Sequence, residues 1–135
     1  MTPEIEEFAK TLMQWARGAA IQSSDMTLRP MVNAPVAKRW KKAASEMAPE
    51  DFARVLIPDI VDDTVFHLLR AIDEGSLQLA YTASNGTVVD LTAEGLGELA
   101  GWYMGSDGWR AMYSNERFVD DFSDLHGEDV SGAES

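Results

Sequence analysis

The stretch between Pro58 and Gly75 constrains this chain most. Ile60, Val61, Thr64, Val65, Leu68, Leu69 and Ile72 fall within one half of a helical wheel, which is the 3.6-residue period of an amphipathic helix. Gly75 follows where a left-handed terminator belongs. A helix so patterned has to lay its apolar stripe on other elements, and the rest of the chain has to supply them. Asp59, Asp63, His67, Arg70 and Glu74 occupy the opposite side, the arrangement of a solvated face. The helical pattern reaches back to Glu50, but Pro58 lacks an amide and clashes with the turn before it. The spacing therefore predicts two helices or a kink between Glu50 and Gly75.

Around this element the signals are mostly helical. Thr2, Pro3 and the acidic side chains of Glu4, Glu6 and Glu7 make a helix start. Ile5, Phe8, Leu12, Trp15, Ala16 and Ala19 recur at helical spacing, predicting one buried stripe on a helix from Pro3 to Ile21. Residues 22–35 lose that period and read as a long connection that must pack Met26, Leu28 and Met31. A second helix is expected from Val36 to Met47. Leu77, Leu79 and Tyr81 alternate with smaller or polar residues, Thr87 to Leu91 is β-branched, and Ser84-Asn85-Gly86 lies between them, which predicts a hairpin. Thr92 is the expected cap of a helix running to Gly105. A short helix through Trp109 and Met112 and a last one from Ser114 carrying Phe118 and Phe122 complete the pattern.

The fold class is thus α+β, mostly α: a compact helical domain of five to six helices with one small two-stranded β-hairpin. Residues 1–125 read as a single globular domain and residues 126–135 as a disordered acidic tail.

Charge narrows the partners. The chain has 135 residues, with 23 acidic against 11 basic side chains and a formal net charge of −12. Phosphate binding draws its affinity from clustered Lys and Arg, so general affinity for nucleic acid or anionic lipid is not expected. The charge is also polarised. Residues 1–42 hold seven basic and four acidic side chains, net +3, and residues 43–135 hold four basic and nineteen acidic, net −15. Cysteine is absent, which removes disulfides and thiolate chemistry. No run approaches the roughly 18 apolar residues of a spanning helix, and the first residues are acidic where a secretory signal is basic. A cytoplasmic protein without membrane attachment is expected.

Four clusters could carry chemistry. Asp59, Asp63 and His67 lie at successive i, i+4 positions and could be written as a metal site for assisted hydrolysis, with Glu94 or Glu98 supplying ligands from another element. Lys38-Arg39-Trp40-Lys41-Lys42 interleaves an indole with cations, as a nucleic-acid contact does, although Trp40 aligns with the apolar side of its helix. Gly95-Leu96-Gly97-Glu98-Leu99-Ala100 matches the letters of a dinucleotide fingerprint but lacks the strand–turn–helix context. The glycines at 97, 101 and 105 are better read as letting another element approach a helix. Finally, Trp102, Tyr103, Trp109, Tyr113, Phe118 and Phe122 gather six of the twelve aromatic residues into 21 positions.

The residues favour a non-enzymatic cytosolic interaction protein that binds, and inhibits or escorts, a basic protein through an acidic surface with aromatic anchors. Phe66 among the carboxylates of Asp59 and Asp62, together with Trp102 and Trp109, are the expected contacts. A small metal-assisted hydrolase using Asp59, Asp63 and His67 is the first alternative, and a nucleic-acid module through Lys38–Lys42 the second. No cofactor is implied, and oligomeric state is left open.

Overall fold

The structure, a computed structural model, describes residues 1–122. The acidic tail expected at 126–135 lies outside the described residues. Three α-helices open the chain: α1 (Pro3–Leu12), α2 (Ala19–Thr27) and α3 (Pro35–Glu46), with a π-helical turn at Met13–Gly18 between the first two. The long helix α4 (Pro49–Asp73) is followed by strands β1 (Ala80–Thr82) and β2 (Val88–Asp90) and by short helices α5 (Leu91–Glu94), α6 (Leu99–Met104) and α7 (Trp109–Tyr113). Because α1, the π turn and α2 run on as one rod, six helical units and one antiparallel two-stranded sheet make a mostly α domain with a small hairpin. No helix among the described residues is long and apolar enough to cross a membrane.

Local chemistry explains the helix starts. Proline stands at the first turn of α1, α3 and α4, where its missing amide costs nothing. The Thr2 hydroxyl also accepts from the Ile5 amide at 3.2 Å. Gly75, at φ +79°, ends α4 in the left-handed conformation anticipated for it. The hairpin pairs Tyr81 with Val89, and the Asn85 side chain accepts from the Thr87 amide inside its turn.

Several expectations are corrected. Helix α4 runs as one element through Pro58, which overturns the two-helix alternative. Proline leaves the carbonyl four residues earlier without its amide, and here Arg117 Nη2 donates to that Arg54 carbonyl at 3.1 Å. The first rod extends to Thr27 and leaves Met26, Leu28 and Met31 exposed. Its stripe is not buried as one: Ala16 and Ala20 are buried, whereas Ile5, Phe8 and Trp15 are exposed. A π turn carries an extra residue and rotates the helix beyond it, so a stripe drawn at 3.6 spacing cannot keep one heading. The stretch after the hairpin holds two short helices, because Leu96 (φ +54°) and Gly97 (φ +72°) interrupt it. Asp90, not Thr92, caps α5 by accepting from the Thr92 and Ala93 amides. No helix forms over residues 114–122.

The rod and α3 both pack on α4, and α6 covers its far end. Ala71, Ile72, Leu77 and Leu99 form the buried core there, with Leu12, Leu68, Leu69, Leu79, Leu91 and Trp109 against it. Trp40, 4% exposed, anchors α3, as its position on the apolar side predicts.

Candidate functional site

The carboxylates in the middle of α4 face inward and do structural work, while Arg70 and Glu74 farther along stay exposed. Asp62, only 8% exposed, accepts from the Tyr103 hydroxyl at 2.7 Å and from Arg110 Nη1 at 2.8 Å. Arg110, 5% exposed, also donates through Nη2 to the Met104 carbonyl, and its guanidinium lies 4.6 Å from the centre of the Phe118 ring. Buried charges persist only when paired and hydrogen-bonded, and this pair welds α6 and α7 to the middle of α4. Burial, reinforced by the bond to Asp62, raises the Tyr103 pKa above the usual phenol range, so its hydroxyl stays a donor. Arg110 Nε is the one buried side-chain donor without a partner among the described residues.

The neighbouring carboxylates are equally engaged. Asp59 accepts from Arg39 Nε and Nη2 at 3.1 and 2.9 Å and from the Trp40 indole at 2.8 Å. The other edge of Arg39 donates to Asp121. Burial disfavours the Arg39 charge, but the bonds to Asp121 and Asp59 outweigh it and raise the pKa. Asp63 accepts from the Ser23 and Ser24 hydroxyls of α2, and His67 Nδ1 sits 2.7 Å from the Asp63 carbonyl. Asp73 accepts from the Leu99 and Ala100 amides at the start of α6, both at 3.0 Å.

This geometry redefines the candidate residues. Asp59 and Asp62 are not the open acidic surface read from the sequence, since a cation of this chain already lies against each. Phe66 is half-buried, stands edge-on to His67 and lines a cavity of about 240 Å³ with Trp40 and the α4 carboxylates. No three His, Asp or Glu side chains are grouped to hold a metal ion among the described residues, and Asp59, Asp63 and His67 are occupied as above. The basic cluster shrinks as well. Trp40 is buried, Arg39 is paired, and Lys41 donates to the Pro30 and Val32 carbonyls, which leaves Lys38 and Lys42 facing outward. No other element of the described chain approaches Gly97 or Gly101, where an added Cβ would meet nothing within 4 Å.

What remains open is aromatic. Trp102, 40% exposed, and half-buried Trp109 stand 6.4 Å apart with their rings tilted by 43°. They edge a shallow depression of about 290 Å³ floored by Gly101, Gly105 and Gly108 and bordered by Asp107 and Met112. Gly108 is fixed by the fold, since a Cβ there would sit 2.1 Å from the Trp102 carbonyl oxygen. Gly101 meets no such constraint. On the other side of Trp109 a cleft of about 530 Å³ opens between Ile57 and Val61 of α4 and Tyr103, Tyr113 and Phe118.

Sequence spacing does not reveal Arg110, Tyr103 or Arg39 as site formers. Asp62 and Arg110 are 48 residues apart in the sequence. No known family model matches the chain, and neither a curated protein nor a solved structure does.

Proposed function

We propose that this chain is a non-enzymatic interaction protein that docks a basic segment of a protein partner on the Trp102–Trp109 depression. The supporting observation is exposed Trp102 beside half-buried Trp109 at a shallow depression that Gly101, Gly105, Gly108 and Asp107 also line. Trp buries large rigid area while keeping a polar handle, which is why it recurs at interface hot spots. The net charge of −15 over residues 43–135 favours encounter with a cationic partner. Gly101 supports the same reading. Glycine inside a helix costs about 0.5–1 kcal/mol relative to alanine, and nothing within the described chain requires it there. A flat floor for an incoming segment is a use for it.

Affinity capture from the cell of origin with the immobilised chain tests this. A basic protein should be retained at low salt and released by about 0.5 M salt. Trp102→Ala should abolish retention, and Gly101→Ala should weaken it while leaving the melting temperature equal or higher. Recovery of no basic partner, or equal retention by both variants, refutes the reading.

A further inference from the structure

The middle of α4 carries an apolar face that no other element of the described chain covers. Ala53, Ile57, Ile60, Val61 and Thr64 are all exposed and succeed one another at three- and four-residue steps along one side of the helix. Ile57 and Val61 are each 52% exposed and Ile60 is 38% exposed. Tyr113, 78% exposed, borders the same face across the cleft that Ile57 and Val61 line. Isolated exposed apolar side chains need no explanation, but a contiguous set marks a contact surface.

We infer that this face pairs with itself, joining two copies of the chain into a weak, reversible dimer through antiparallel α4 helices. Isologous contacts need a self-complementary patch, and the stripe has one. A twofold axis midway between positions 60 and 61 sets Ile60 against Val61 of the partner subunit and Ile57 against Thr64 of the partner subunit. Ile57, Ile60, Val61 and Thr64 are β-branched, so ordering them on contact costs little rotamer freedom. Covering Ile57, Ile60, Val61, Thr64 and Tyr113 on both copies would bury on the order of 1,000 Å² in all, at the lower limit of specific interfaces and short of permanent ones.

Charge selects the occupant. None of the six side chains carries charge, and the charged residues on the same side of the helix, Arg54 and Glu50, are paired with each other at 2.8 Å, so the face offers little net charge to a strongly cationic or anionic partner. One competing apolar face, Ile5 and Phe8 on α1, sits among Glu4, Glu6 and Glu7, and two copies meeting there would bring like charges together. Each chain has a net charge of −12, so screening should tighten the dimer. Salt acts in the opposite sense on the docking of a basic partner, which lies on the Trp102 side and can fail without affecting this inference.

Sedimentation equilibrium of the full chain over a concentration series is the test. A monomer–dimer equilibrium that strengthens with salt is expected, weakened by at least about 100-fold in Val61→Glu, where each dimer gains two buried carboxylates. Single-cysteine variants provide a readout that does not depend on that substitution. The chain has no cysteine of its own, so Ile60→Cys, next to the twofold axis, should cross-link into covalent dimers on mild oxidation while Ile5→Cys does not. A chain that stays monomeric at about 1 mM would overturn the inference. So would a dimer lost in Ile5→Glu but not in Val61→Glu, or cross-linking of Ile60→Cys no greater than that of Ile5→Cys.

Discussion

Asp62→Asn is the most informative single change. The carboxylate holds Arg110 at 2.8 Å and Tyr103 at 2.7 Å, and the Asp62 and Arg110 side chains are 12% and 6% exposed. An amide of the same shape removes the negative charge and leaves a guanidinium buried without a counter-charge. Removing one member of a buried pair costs about 3–5 kcal/mol. That is a large part of the roughly 5–15 kcal/mol that holds a domain folded. At about 3–5 °C per kcal/mol for a chain of this size, the midpoint should fall by roughly 10–20 °C. Thermal and urea denaturation, followed by far-ultraviolet circular dichroism, measure it. A companion variant separates charge from packing. Replacing the whole knot with Asp62→Leu, Tyr103→Phe and Arg110→Met removes both charges and the orphaned Arg110 Nε, and buried pairs replaced by apolar groups are often neutral in stability. This triple variant should recover most of the loss. An Asp62→Asn protein within about 1 kcal/mol of the parent, or a triple variant less stable than the single one, would refute the assignment of this pair as the weld between α4 and the aromatic segment.

Pro58→Ala removes the ring from the helix interior and gives the Arg54 carbonyl, now held by Arg117, its intrahelical amide, and should raise the urea midpoint by an equivalent of about 1–3 kcal/mol; an unchanged or lower midpoint would contradict this. Gly108→Ala drives a Cβ to within 2.1 Å of the Trp102 carbonyl oxygen and should lower the melting temperature by the equivalent of about 3 kcal/mol or more, whereas a neutral effect would contradict the close approach. Asp73→Ala removes the acceptor for two amides at the start of α6 and should cost about 1 kcal/mol by the same measurement. For Tyr103 the folded pKa lies above the unfolded value of about 10, so its contribution is intact below pH 10 and is lost as pH rises toward the folded pKa. Chemical denaturation across alkaline pH should show that decline in the parent and a shallower one in Tyr103→Phe.

Much of the secondary structure was legible in the sequence because its causes are local. Prolines in the first helical turn, the Thr2 cap, the left-handed Gly75 and the Asn85-Gly86 turn act within a few residues, and each stands where its chemistry places it. The π turn, the continuity of α4 through Pro58 and the break at Leu96–Gly97 escaped, since each depends on contacts the linear pattern does not carry. The Arg54 carbonyl, for example, is satisfied by an arginine 63 residues away. The candidate site was less legible still. Trp102 and Trp109 stood out by residue type, while Asp59 and Asp62 looked like a surface and are turned inward.

By itself the sequence determined that α4 would be amphipathic, with one apolar and one carboxylate-bearing side. Which part of each side meets water depends on tertiary packing: Leu68, Leu69 and Ile72 of the apolar side join the core, while Arg70 and Glu74 of the other side stay exposed. Helical periodicity gives the angle between two residues and says nothing of what lies beyond them. Arg39 with Trp40, Tyr103 with Arg110, and Ser23 with Ser24 arrive from three directions against Asp59, Asp62 and Asp63, so the charges can be buried at acceptable cost. Ile57, Ile60 and Val61 receive no such cover within the described chain and are left facing outward.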